Sequence, residues 1–161
     1  MDGPVMIRAG ELGVGRGEML LATLGLGSCV AVALDDPASR VGGLAHVFLP
    51  ESSPHAPFDA PGRYVDTALP LLLERVVGAG ADRRRLRARL VGGASMFPAL
   101  QPPGTVPLGL RNANAARGLL DRLGVPVAGE DVGGSYGRSV YFHVGDGRLV
   151  VRSVQLPDRV L

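Results

Sequence analysis

The sequence predicts an α/β fold, a mixed and largely antiparallel sheet packed in layers with two main helices. Three observations carry that expectation: apolar runs that open in hairpins, two stretches of helical periodicity set between them, and a closing pair of alternating strands across a glycine turn. At 161 residues the chain is expected to form a single domain over residues 1–161, long enough to bury a core without disulfides or a metal.

Val5 to Val14 and Met19 to Thr23 are expected as strands, followed by a hairpin of Cys29 to Asp35 with Val41 to Leu49 joined by the turn Asp35-Asp36-Pro37-Ala38-Ser39-Arg40. The proline-rich stretch from Glu51 to Pro61 is a surface loop. From Arg63 to Gly80, Val65, Leu69, Leu72, Leu73 and Val76 recur at helical spacing. Pro70 lies inside that pattern and removes a backbone hydrogen bond, so a kink or a later helix start is expected. Arg85, Arg87 and Arg89 alternate with Leu86, Ala88 and Leu90, which predicts a strand with a solvated arginine face and a core face. A proline-rich loop from Pro98 to Pro107 precedes a second helix, from about Arg111 to Leu123, closed by Gly124. Val125 to Asp131 is a strand leading into the turn Gly133 to Gly137, and Ser139 to Val144 pairs with Leu149 to Val154 across Gly145-Asp146-Gly147.

Composition excludes several chemistries. All seventeen basic residues are arginine, so a Schiff-base lysine, a Walker A lysine and a Ser-Lys dyad are ruled out. One cysteine forms no internal disulfide, no Cys-x-x-Cys pair and no multi-cysteine zinc site, and no histidine spacing supplies a metal's remaining ligands. The net charge is only +2 and tryptophan is absent, which argues against a nucleic-acid surface. The start lacks a signal-peptide pattern and no apolar run is long enough to span a bilayer, so a soluble cytoplasmic protein without membrane insertion is expected.

Cys29 is the candidate nucleophile. It follows Leu24-Gly25-Leu26-Gly27-Ser28 at the mouth of an apolar strand, where small residues let a substrate approach the sulfur. A hairpin symmetric about the Pro37–Ala38 bond sets Cys29 directly opposite His46, within proton-exchange distance. His55, in the proline-rich loop, and His143, in the closing hairpin, have no such partner. A core cysteine is the competing reading, since free cysteine is among the most buried residue types. Gly25, Gly27 and Ser28 form either a tight turn needing positive φ or a cradle of N–H groups for an oxyanion. Thr23 either holds the imidazole or simply ends a strand.

Five blocks in order, Leu24 to Val30, Gly43 to Pro50, Val91 to Phe97, Gly109-Leu110-Arg111-Asn112 and Glu130 to Arg138, together resemble the CheD family of chemoreceptor glutamine deamidases. The resemblance implies hydrolysis of glutamine side-chain amides on methyl-accepting chemotaxis receptors, with a Cys-His-Thr triad carried onto Cys29, His46 and Thr23 and no cofactor. It implies a layered α/β sandwich similar to the deamidating cytotoxic necrotizing factors, and the phosphatase CheC as a further partner that competes with the receptor. Two rivals stand beside it: a non-catalytic module that binds receptors or CheC, and a receptor glutamyl methylesterase.

Overall fold

The computed structural model describes residues 3–54 and 60–161. Among these the elements run β1 (Val5–Met6), β2 (Leu12–Arg16), β3 (Leu20–Leu26), β4 (Val30–Asp36), β5 (Val41–Val47), α1 (Val65–Gly78), β6 (Arg87–Gly92), α2 (Leu108–Leu123), β7 (Val127–Val132), β8 (Arg138–His143), β9 (Arg148–Arg152) and β10 (Arg159–Val160). The single expected sheet is two, with strand orders β1-β3-β8-β9-β10 and β2-β5-β4-β6-β7. β1 with β3 and β6 with β7 are parallel, and the other ladders are antiparallel.

Every residue of β4 and β5 is buried, so both strands have two apolar faces. Alternation sends Val30, Val32 and Leu34 toward Leu69, Leu72 and Leu120 of the helices. It sends Ala31 and Ala33 toward Leu21, Val140 and Phe142 of the other sheet. The layers are therefore helices, sheet and sheet. Leu69, Leu72 and Leu120 are fully buried, each contributing roughly 1.5–3 kcal/mol. Gly42 and Gly43 make the close packing possible, because a Cβ on either would come within 2.7 Å of Phe142 or Leu72.

The helices depart little from expectation. α1 starts at Val65 and continues through Pro70, whose side chain is exposed. α2 starts three residues before Arg111, directly after Pro107, and ends at Gly124 in the left-handed conformation, φ 74°. The expected first strand is broken by a turn in which Arg8 N–H donates to Glu11 Oε1 at 2.8 Å and Gly10 takes φ 82°.

Two expectations are corrected. The turn of the β4–β5 hairpin is the four residues Pro37–Arg40, with Arg40 at φ 55°, so Ala31 rather than Cys29 stands opposite His46. The register is displaced by two residues, which leaves every side chain on the face expected of it. The expected arginine face is solvated at Arg85, half-buried at Arg87 and buried at Arg89. Arg87 and Arg89 point into the layer between the sheets, where Arg87 Nε and Arg89 Nη2 donate to Asp35 Oδ1 at 3.0 and 3.1 Å. Arg89 is 2% exposed and lies 5.4 Å from the centre of the Phe142 ring. Arg83–Arg85 form a short 3-10 turn instead of strand, and Arg85 pairs with the buried Asp36 at 2.9 Å. Hydrogen bonds from Arg85 above all hold the Asp36 carboxyl well below the usual carboxylate range.

Asp35→Asn leaves Arg89 buried without its carboxylate, and the expected loss of stability is about 3–5 kcal/mol. Urea denaturation reads it as a lowered midpoint at an unchanged m-value. Asp158→Asn, in the exposed pair with Arg152, should cost under about 1 kcal/mol.

Candidate active site

Thr23, Cys29 and His46 converge at one end of the layer between the two sheets. On β3, Leu21 and Thr23 share a face; on β5, Leu44 and His46 do; and Cys29 precedes β4 on the face of Ala31 and Ala33. Cys29 is thus the diagonal cross-strand neighbour of His46, the arrangement that keeps two side chains on one face without placing them directly opposite. Cys29 and His46 line one cleft of about 420 Å³, together with Met6, Ile7, Arg8, Ala9, Leu24 and Gly25. His55 lies outside the described residues. His143 sits on β8 opposite Leu20, at the far end of β3 from the cleft.

Hydrogen bonding fixes the tautomer of His46. Thr23 Oγ1 is 2.6 Å from the carbonyl oxygen of Ile7, which can only accept, so the hydroxyl hydrogen goes there. The same oxygen lies 2.7 Å from His46 Nδ1 and must accept from it. Nδ1 therefore carries the proton, and the lone pair is on Nε2, which is buried without a hydrogen-bond partner among the described residues. Gly10 N–H donates to the His46 carbonyl at 2.8 Å and His46 N–H to the Glu11 carbonyl at 3.1 Å, so the broken first strand clamps the base as well.

Burial favours the neutral form of both side chains. Burial pushes the Cys29 thiol above its ordinary value, partly opposed by its own backbone N–H, and burial pushes His46 below its ordinary value. A thiol beside a neutral imidazole with a free Nε2 is equipped for base-assisted attack rather than for a standing thiolate–imidazolium pair.

The loop before Cys29 is braced from behind. Gly93 N–H donates to the Cys29 carbonyl at 2.8 Å and Ala94 N–H to the Gly27 carbonyl at 2.9 Å. Gly92 must be glycine: it takes φ 113°, and a Cβ there would lie 2.3 Å from the Cys29 oxygen. Gly25 alone of the cradle residues needs positive φ, 70°, at the bulge of β3, which corrects the expectation for Gly27. The N–H groups of Gly27 and Ser28 donate to none of the described residues. Gly133 and Gly134 form a turn, as expected, with φ of 88° and 69°, packed against the Gly92 to Ser95 loop.

Sequence reasoning missed Asn112. It is fully buried on α2, and its Nδ2 donates to the Ser28 carbonyl at 3.0 Å and the Phe48 carbonyl at 3.2 Å. The available signal was a polar residue among Gly109, Ala113, Ala116 and Leu120 on the buried helix face.

Relatives carry the same length of chain. Proteins named probable chemoreceptor glutamine deamidase CheD match at 39% identity from Desulfitobacterium hafniense, covering all of both chains. The match from Pyrococcus abyssi is 40% identical over 96% of this chain and 94% of that one. The match from Methanococcus vannielii is 42% identical over 91% and 92%. One solved structure, a Bacillus licheniformis hypothetical protein YfiH, aligns with a TM-score of 0.44 and 17% identity over 72% of this chain and 47% of its own. A protein-family model described as CheD chemotactic sensory transduction matches residues 48–153. That match begins just past His46, and the Desulfitobacterium relative also spans the preceding segment with Thr23, Cys29 and His46. On both grounds, the chain belongs to the CheD family.

Proposed function

We propose that this protein hydrolyses glutamine side-chain amides of chemoreceptors to glutamate, releasing ammonia, with Cys29 as nucleophile, His46 as acid and base, and Thr23 as the group that orients the imidazole. The observation that carries the reading is the Thr23 Oγ1 to His46 Nδ1 hydrogen bond, which leaves Nε2 unpartnered in a residue that shares a cleft with Cys29. Family membership supports the substrate class.

The chemistry follows from those protonation states. His46 Nε2 takes the thiol proton as Sγ bonds to the glutamine carboxamide carbon, and the unpaired N–H groups of Gly27 and Ser28 are available to the tetrahedral oxyanion. The imidazolium returns its proton to the departing nitrogen, the C–N bond breaks and ammonia leaves. Water then gives a proton to Nε2 and attacks the γ-glutamyl thioester, and the C–S bond breaks to yield glutamate and the reprotonated thiol. None of these steps calls for a cofactor. The surroundings suit a protruding side chain on a helical partner: Leu24, Met96 and Phe97 are exposed around the loop that carries Cys29. Met96 and Phe97 also line a cleft with Ser28, which supports a docking face shared by the receptor and the phosphatase CheC. No helix among the described residues is long and apolar enough to cross a membrane, and the proposed setting is the cytoplasm, against the receptor's cytoplasmic helices.

Cys29→Ala should reduce deamidation of a receptor fragment, followed by mass spectrometry, to the level of heat-killed protein while the melting temperature stays close to wild type. Ammonia release by the alanine variant above that background removes Cys29 from the mechanism and favours a different nucleophile.

Because neutral His46 is the base and burial lowers its pKa, kcat/KM should rise with pH through an inflection below 6.5, the ordinary histidine value, and then level off. An inflection at or above the ordinary value would contradict the neutral pair. Thr23→Val, which keeps the shape but deletes the hydroxyl, should lower kcat about 10- to 100-fold with little change in KM. Thr23→Ser should retain most of the turnover, and equal losses in both variants would remove the hydroxyl from the mechanism.

A further inference from the structure

Beyond Val30 and Val47 the β4–β5 ladder ends and the two chains part. On one side Phe48 and Leu49 turn to donate to the Arg63 carbonyl, at 3.0 and 3.2 Å; on the other Cys29 and Gly27 hand their carbonyls to Gly93 and Ala94. The nucleophile sits in the mouth of this fork, and His46 lies one residue inside it. The side-chain amide of Asn112 fills the fork, its nitrogen giving one hydrogen to each chain: to Ser28, the residue before Cys29, and to Phe48, two residues after His46. Both acceptors are carbonyl oxygens, so the amide is oriented with its nitrogen toward them.

Helix α2 is held firmly enough to make this a fixed strut. Gly109, one turn before Asn112 on the same face, lies so close to the Gly93–Ala94 backbone that a Cβ would come 2.4 Å from the Ala94 oxygen. Asn112 Oδ1 is buried with no partner among the described residues. An amide satisfied at one end only is costly in an apolar layer, so packing alone gives no reason for asparagine there, whereas bridging two carbonyls does.

Resting on the reading of Cys29 and His46 as the reacting pair, we infer that Asn112 is a positioning residue for that pair: its carboxamide closes the fork between β4 and β5 and thereby sets the sulfur against the imidazole. It touches neither reacting atom and acts through the backbone of Ser28 and Phe48.

The test compares full-length wild type with Asn112→Leu, which keeps the volume and removes both donors, and Asn112→Ala, which leaves room for water to bridge the carbonyls. Folding is followed by thermal melting, Cys29 by its rate of alkylation with iodoacetamide from pH 5 to 9, roughly the span of histidine and thiol titration, and turnover on a receptor fragment. In wild type the alkylation rate should show a step below pH 6.5, where His46 becomes available as a base. Asn112→Leu should lose that step while keeping the rise at higher pH from thiol ionisation, and kcat should fall at least about tenfold with KM within about twofold. Asn112→Ala should fall between the two. A folded Asn112→Leu protein with the low-pH step intact overturns the proposal, whatever its turnover. Failure of both variants to fold overturns it as well, because the amide would then serve the fold itself. Absence of deamidation in wild type with the alkylation step present would defeat the proposed reaction but leave the positioning role standing, so the two failures are distinguishable.

Discussion

Burial of β4 on both faces is the constraint from which the architecture follows. With no residue of that strand open to water, the helices must cover one side and a second sheet the other, and period-two alternation divides its side chains between two cores. Large aliphatic residues face the helices and small ones face the other sheet. Ala31 and Ala33 bring the two sheets close, and that closeness allows a hydroxyl on β3 to reach an imidazole on β5 without either leaving its strand.

Polar groups occupy the layer between the sheets in two places, as ion pairs in one and as a hydroxyl and an imidazole in the other. In the first, Asp35 accepts from Arg87 and Arg89, and Arg89 also reaches the carbonyl of Leu161 at 3.0 Å, while its Nε has no partner among the described residues. In the second, the Thr23 hydroxyl uses both its hydrogen and a lone pair, while His46 Nε2 has no partner among the described residues. The first network ties β4 to β6 through ion pairs, and the second opens on the cleft that Cys29 and His46 line. The same layer thus holds both the ion pairs and the candidate site, with Asp35 four residues along β4 from Ala31, the partner of His46, a separation of about 13 Å.

Much of this was legible in the sequence because parity is more robust than register. The hairpin turn is centred one residue later than assumed, at the Ala38–Ser39 bond, with Arg40 in a left-handed conformation that no local signal announces, yet Cys29 and His46 still share a face. The alternation at Leu86 to Leu90 gave the core face correctly but misjudged the other, because the partners that bury Arg87 and Arg89 lie on β4 and beyond and no spacing within the segment reports them. The split into two sheets and the terminal strand β10 depend on long-range pairing, which local pattern does not encode. Asn112 was hidden for a different reason. Its partners are backbone carbonyls, which every residue possesses, and only the folded fork makes those two orphaned.

The protonation state of the site bears on its chemical durability. Peroxides and disulfides react with thiolates and only sluggishly with thiols. Cys29 is half-buried and held above the ordinary thiol pKa, and it is the chain's sole cysteine, so no second sulfur can rescue it as a disulfide. A thiol held in its unionised form resists oxidants that would consume a pre-ionised one, and under the proposed mechanism it gives up its proton only as it meets the acyl group.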